Sequence, residues 1–428
     1  MRIIISNAVT LNGGDFAILH AMIKILKQTY GENTEIIVYD NNDSIASKYY
    51  PEIKYRKLLY FKYFKIISTN SSEILRSIKK IYNAVIWQRF IIAARLYQKG
   101  VTGVAGILLS KEQKKDFDNY TSADIIISTG GTYLVENYDL TSRYFDYDFT
   151  LALKKPLVFF TQSVGPFNNF YNQQKIKKIF NQARLILLRD EASLDNLKAI
   201  EVDVSKAKVC ADVVFSEADP AILQSAKIFE IKKLIRVAIS VRDWNYFKQS
   251  SQKEGMENYN DSIATLCEYV TVTLRGEVFF ISTCQGISEY SKDDSKVAEK
   301  IYSTLSYEAK KNTTVDSNFH HPEQLKTLVK DFDIVISTRM HFAIQSLVMG
   351  VPVLPIAYEF KTKELFTKLI NKEWIADIET INGEELIDNF KNFLSALPGI
   401  RSDLFEKVEA ERQSALKPVQ YLREFVNA

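Results

Sequence analysis

The sequence predicts an α/β chain built on two mostly parallel sheets. Three observations carry that expectation. Apolar runs of strand length alternate with helical patterns along the whole chain. At 428 residues the chain is too long for one ordinary core, so two domains are the prior. The stretch from Asp333 to Ile356 holds a complete strand–helix–strand unit. An apolar strand runs into Ser337-Thr338, a helix carries Arg339 and His341 in its first turn, and Gly350 stops it before a second apolar strand.

Taken in order, residues 2–6 read as a buried strand and 17–30 as a helix, with a strand following at 35–39. Further buried strands are expected at 125–128, 157–161, 185–189 and 208–210. A polar, charged stretch over 217–233 reads as the crossing between halves. The second series has strands at 236–240, 278–283, 334–337 and 353–356. The last stretch, 402–426, is helical and charged. The expected architecture is two Rossmann-like domains facing a cleft. The first covers 1–225 and carries an insertion at about 54–111. The second covers 226–400, and a C-terminal helix, 401–428, packs back on the first.

Composition narrows the function classes. Hydrophobic residues at 46% and charged residues at 25% are those of a soluble globular chain. A net charge of only +3 argues against bulk electrostatic binding to nucleic acid. Cys210, Cys267 and Cys284 are odd in number and lack CxxC spacing, so they read as reduced and structural. His20, His320, His321 and His341 offer no zinc-ligand spacing, and no metal is assigned. The opening MRIIISNAVTL is too short in apolar run for a signal peptide, and no run is long enough to span a bilayer. A cytoplasmic protein is expected.

The insertion departs from the βα pattern. Lys54, Arg56, Lys57, Lys62, Lys65, Arg76, Lys79, Lys80, Arg89, Arg95, Lys99 and Lys111 have Glu73 as the only acid among them. Between them lie Tyr60, Phe61, Tyr63, Phe64, Ile66, Ile67, Trp87, Phe90 and Ile92. Cations interleaved with aromatic and branched residues suit peripheral contact with an anionic inner membrane. A helical pair packed on the first domain with solvated lysines is the plain alternative.

Candidate chemistry gathers at strand ends, where open parallel sheets bind ligands. After the first strand, Asn12-Gly13-Gly14-Asp15 turns tightly into a helix. Asp15 is positioned to cap it, and is also a candidate acceptor-hydroxyl binder or base. Gly130-Gly131 ends another strand, exposing backbone N–H groups. Gln162 and Ser163 follow the next strand, as ligand contacts or as partners of loop backbone. Arg242 follows the strand 236–240. A cation there needs an acid such as Asp243, or a ligand anion. Asp293-Asp294 read as helix caps. Arg339 offers a fork for carboxylate or phosphate beside the helix N-terminus.

Taken together, Asn12-Gly13-Gly14-Asp15, Gly130-Gly131, Gln162-Ser163-Val164-Gly165-Pro166, Arg189-Asp190-Glu191-Ala192-Ser193, Ser240-Val241-Arg242, and Ser337-Thr338-Arg339-Met340-His341 with Gly350-Val351-Pro352 form an ordered set. In that order the chain resembles the polysaccharide pyruvyl transferases. Tyr358-Glu359-Phe360-Lys361 resembles that family's tyrosine–lysine segment. The first loop departs from the commoner Asn-x-Gly-Asp with a preceding glycine-rich run, and the insertion matches no motif.

The resemblance implies a glycosyltransferase-B-like fold. It also implies transfer of a pyruvyl group from phosphoenolpyruvate to two sugar hydroxyls, forming a cyclic ketal in surface-polysaccharide synthesis. Phosphoenolpyruvate is the co-substrate, and no cofactor is called for. Donor contacts would come from Ser337, Thr338, Arg242, Arg339, Met340 and His341. Acceptor contacts would come from Asn12, Gly13, Gly14, Asp15, Gly130, Gly131, Gln162 and Ser163. His341, Arg339 and Asp15 are the catalytic candidates, with His341 as general acid or as positional donor to phosphate. A membrane-facing insertion would suit a polyprenyl-diphosphate-linked saccharide acceptor. Two rivals remain: a nucleotide-sugar glycosyltransferase of the same fold, and a non-catalytic sugar- or anion-binding relative.

Overall fold

The structure is a computed structural model and describes residues 1–67, 72–228 and 234–427. The chain divides into two compact units. The first comprises 1–10, 18–213 and 416–428, and the second comprises 11–17 and 214–415. The first loop, Asn12 to Asp15, thus groups with the second unit. The expected crossing over 217–233 lies partly outside the described residues. Its described part holds a helix, Pro220–Ala226, with Pro220 in the first turn and Asp219 as cap.

The first unit is built on β1 (Arg2–Ala8), β2 (Glu35–Asp40), β3 (Lys54–Lys57), β4 (Ile125–Ser128), β5 (Gly131–Leu134), β6 (Leu157–Val164), β7 (Leu185–Leu188) and β8 (Ala207–Val209). Their order is β3-β2-β1-β4-β6-β7-β8, with β5 pairing β6. Every pair is parallel. Ile3, Ile4 and Ile5 pair with Ile125, Ile126 and Ile127, all buried. Such unbroken branched runs are what strands covered on both faces require. β3, Lys-Tyr-Arg-Lys, falls within the expected insertion. As an edge strand it has no face to bury, so its sequence lacks the apolar signal. β6 runs three residues further than expected because β5 and β7 pair with its far end at Gln162. Gln162 and Ser163 therefore lie within a strand, not in the loop after it.

The second unit is built on β9 (Arg236–Ser240), β10 (Glu277–Phe280), β11 (Thr313–Val315), β12 (Ile334–Ser337), β13 (Val353–Ala357) and β14 (Ala376–Asp377). Their order is β11-β10-β9-β12-β13-β14, again all parallel. This is the doubly wound order, which reverses between β9 and β12. The helix between β12 and β13, Met340–Val348, ends before Gly350, whose φ of +77° only glycine takes without strain. The final helix is continuous from Gly383 to Asn427, passing through Pro398 and Pro418. Its start precedes the expected one by nineteen residues, and Pro398 and Gly399, both poor helix formers, lie inside it. In the first unit, the Tyr30 hydroxyl donates to the Leu422 carbonyl at 3.1 Å.

The aromatic residues of the insertion belong to a core. Leu58, Leu59, Phe64, Ile86, Phe90 and Ile91 are buried with Phe117, Phe145 and Phe149, and Tyr60, Phe61, Tyr63 and Trp87 pack against them. Edge-to-face contacts such as Phe90–Phe145 at 5.6 Å and Trp87–Phe145 at 5.3 Å tie the long helix Glu73–Gln98 to Thr141–Ala152. No helix among the described residues is long and apolar enough to cross a membrane.

Candidate functional site

The reversal in the second sheet brings three strand ends to one edge. β9 delivers Arg242, β12 delivers Arg339 and His341, and β13 delivers Tyr358. Ser240 and Ser337 are register partners, so the two arginines leave the sheet from neighbouring positions.

Arg242 is held by aromatic faces. Its guanidinium lies 3.8 Å from the centre of the Tyr358 ring and 4.8 Å from that of Trp244. Among the described residues its guanidinium makes one hydrogen bond, a long one of 3.4 Å from Nε to the Asp243 carbonyl. The Asp243 carboxylate is turned to Lys292 at 3.9 Å. Among the described residues no carboxylate pairs Arg242. Stacking covers the planar faces of a guanidinium and leaves its N–H edge for an anion.

Arg339 is held differently. Nε donates to Asp294 Oδ2 at 2.8 Å and Nη2 to Oδ1 at 2.6 Å. The pair is dry: the side chains are 12% and 2% exposed. Burial opposes the guanidinium charge, but Asp294 more than offsets it, and the arginine's pKa rises well above its usual value. Tyr358 is close enough to add to that rise. The sequence reading offered the whole fork to a ligand. A guanidinium this deep needs a permanent counter-charge, and two of its nitrogens supply that contact. Nη1 makes no hydrogen bond among the described residues. Asp293 and Asp294 accordingly split their expected shared role. Asp293 caps its helix, accepting from Ser295 N at 3.1 Å. Asp294 turns inward and also accepts the Ser282 hydroxyl at 2.5 Å.

His341 lies in the first turn of Met340–Val348, which no side chain caps. Its first N–H groups have no intrahelical partners, so this end suits an anion. The loop Asn12–Asp15 comes close here. A Cβ on Gly14 would lie 2.9 Å from His341 Nδ1, and one on Gly13 would lie 1.9 Å from the Thr283 carbonyl oxygen. Both glycines thus serve close approach of this loop to the strand ends. Asn12, not Asp15, caps the following helix. Its Oδ1 accepts from Gly14 N at 3.1 Å, from Asp15 N at 3.4 Å and from the Cys284 thiol at 3.2 Å. Asp15 lies in that helix's first turn. It lies close enough to Cys284 and Tyr290 to raise both their pKa values, which burial raises more.

Ser337, Thr338 and Met340 are turned inward. The Ser337 hydroxyl donates to the Arg339 carbonyl at 2.8 Å, Thr338 shares a 2.7 Å hydrogen bond with the Tyr259 hydroxyl, and Met340 is buried. Burial keeps Tyr259 protonated far above neutral pH.

Gly130, Gly131, Gln162 and Ser163 belong to the first unit and are woven into its interior. Gly131 opens β5. Gln162 Nε2 donates to the Ser128 hydroxyl at 2.8 Å and to the Thr129 carbonyl at 2.5 Å. Ser163 donates to Asp190 and accepts from Arg189 Nε at 2.7 Å. Sequence reasoning missed Asp294 as the partner of Arg339, and Trp244 as part of the Arg242 seat. The one available signal for Asp294 was the need of a buried arginine for an acid.

A family model described as polysaccharide pyruvyl transferase matches residues 12–359. The chain belongs to that family. It is similar to the amylovoran biosynthesis protein AmsJ of Erwinia amylovora, 26% identical over 312 residues, covering 69% of this chain and 71% of that one. Among solved structures it resembles the UDP-GlcNAc 2-epimerase of Methanocaldococcus jannaschii, with TM-score 0.55, 11% identity, and 99% and 100% of the two chains covered. HepE of Anabaena in complex with UDP-glucose gives TM-score 0.55 at 12% identity, with both chains fully covered. These likenesses are of fold: this pyruvyl transferase family member has a glycosyltransferase-B-like pair of Rossmann-like domains.

Proposed function

We propose that the chain transfers a pyruvyl group from phosphoenolpyruvate to two hydroxyls of a sugar, closing a cyclic ketal during assembly of a surface polysaccharide. Arg242 carries the reading. In a member of this family, a guanidinium stacked on Tyr358 and Trp244 pairs with no carboxylate among the described residues, at the strand-order reversal, on the same sheet edge as Arg339 and His341. Phosphoenolpyruvate brings a phosphate and a carboxylate. Arg242 takes one. Arg339 Nη1 and the N-terminal end of the helix Met340–Val348 take the other. The Arg242 charge, the spare Arg339 donor and the helix N-terminus bind the donor's two anionic groups, and the reading calls for no metal.

The enol methylene gains a proton and becomes a methyl group, leaving an oxocarbenium-like centre at C2. One sugar hydroxyl adds there and loses its proton. The bond from C2 to the phosphate oxygen breaks, and the second hydroxyl closes the ring, losing its own proton. Of the two protons released, one balances that taken by the methylene and the other leaves on phosphate. His341 is the candidate acid for the methylene or the phosphate. Asp15, on the loop whose Gly14 adjoins His341, is the candidate base for an acceptor hydroxyl.

The test is phosphate release from phosphoenolpyruvate with free and lipid-linked saccharides as acceptors. Arg242→Ala and His341→Ala should each lower it about a hundredfold or more, with the thermal melt unchanged. Near-normal turnover in both would overturn the assignment. So would hydrolysis of a UDP-sugar without phosphate release from phosphoenolpyruvate.

A further inference from the structure

We infer that the helix Glu73–Gln98 docks the protein on an anionic lipid bilayer, lying in its surface plane. The proposal needs nothing from the catalytic reading. The helix is apolar on two opposite faces. Ile86, Phe90, Ala93 and Ala94 point into the first unit's core. Ile74, Ile78, Ile81, Val85 and Ile92 recur at helical spacing on the other side, and stand 75%, 57%, 66%, 51% and 43% exposed. Ile66 and Ile67 are exposed as well, on a segment that lies against a different side of the helix. Lys79 Nζ donates to the Ile66 carbonyl at 3.0 Å, and Asn83 bonds both the amide and the carbonyl of Lys65, at 2.8 and 2.9 Å. Ile74, Ile78, Ile81 and Val85 form an unbroken row over three turns, with Gln88 and Arg89 between it and Ile92, and an exposed aliphatic row of this length marks a surface with an occupant.

Charge selects the occupant. Lys80, Arg95 and Lys99 are exposed along the helix, and Lys65 Nζ sits 5.7 Å from the Tyr82 ring at its edge. Glu73 is the only acid between residues 54 and 111. An aliphatic floor rimmed by cations is the pattern of an interfacial helix on anionic lipid. A second copy of the chain fits poorly, because a twofold contact through this face would set one cationic rim against another. The inner face is committed to the core, so the helix lies on the bilayer and does not cross it.

The aromatic residues that suggest membrane contact in the sequence are packed inside. Isoleucines make the surface. If the pyruvyl-transfer reading also holds, such a protein would meet its saccharide on a lipid carrier such as a polyprenyl diphosphate.

The experiment is co-sedimentation of the full chain with vesicles of phosphatidylglycerol and phosphatidylcholine, and with phosphatidylcholine alone, at low and high salt. Wild type should bind the anionic vesicles, at least about tenfold more weakly the neutral ones, and be released by salt. The double variant Ile78→Asp/Ile81→Asp should bind at least about tenfold more weakly, with unchanged circular dichroism and melting, because both side chains are exposed. Wild type remaining in the supernatant would overturn the proposal, as would a double variant that sediments like wild type. A lipid-free dimer dispersed by the same two substitutions would assign the face to a second copy instead.

Discussion

The two sheets reverse strand order in the same way, between β1 and β4 and between β9 and β12, yet they finish their polar strand ends differently. In the first unit the cation near the strand ends is Arg189, and all three of its nitrogens are used. Nε donates to Ser163, Nη1 to Asp212 at 2.8 Å, and Nη2 to Thr132 at 2.5 Å. In the second unit, among the described residues, Arg242 rests on two rings without a carboxylate partner and Arg339 leaves one nitrogen unbonded. Equivalent topology therefore yields one closed internal network and one site with spare donors. Accounting for partners distinguishes them where residue type does not.

That contrast can be broken in several ways, beginning with the largest effect. Asp294→Ala leaves the Arg339 guanidinium buried without its counter-charge, which should cost about 3–5 kcal/mol in urea unfolding and lower turnover as well. Asp212→Asn disturbs an equally buried pair in the first unit, 6% and 7% exposed. It should also destabilise, yet phosphoenolpyruvate affinity per folded molecule should stay within about twofold in calorimetric titration. Equal loss of donor affinity in both variants would erase the distinction.

Tyr358→Leu removes the ring under Arg242. We expect donor affinity to fall by about 0.5–2 kcal/mol, read as a raised KM, with little change in melting temperature. The mildest test uses the thiols. Burial pushes Cys210 up to about 12 and raises Cys267 and Cys284 too, so at pH 8 each stays a protonated, weakly reactive thiol. Iodoacetamide should modify none of the three in the native protein and all three in guanidinium, by mass spectrometry. Fast native labelling of Cys284 alone would mean that the seat of Asn12 and Arg339 opens readily.

Much of the fold was legible because parallel strands covered on both faces must be continuous apolar runs. Ile125–Ser128, Arg236–Ser240 and Ile334–Ser337 match their expected limits for that reason. Edge strands such as β3 and β14 bury little and left no such signal. In the candidate site, Arg242, Arg339 and His341 could be placed by their position after strands. The capping by Asn12, the inward turn of Asp294 and the internal bonding of Gln162 and Ser163 could not. The last two depend on partners distant in the chain, Arg339 for Asp294 and Ser128 for Gln162, while Asn12 caps locally and gains the distant Cys284 thiol besides. The basic insertion left two readings open for a related reason. On the helix Glu73–Gln98, Ile86, Phe90 and Ile91 are covered while Ile74, Ile78, Ile81 and Val85 are exposed, and only packing shows which side is which.

The most direct test is the position of the donor itself. Crystals soaked with phosphoenolpyruvate should show it beyond the ends of β9 and β12, one anionic group on the Arg242 edge and the other on Arg339 Nη1 and the start of Met340–Val348. Density beside Arg189 and Ser163 instead, or a vacant second-sheet edge at saturating concentration, would contradict it.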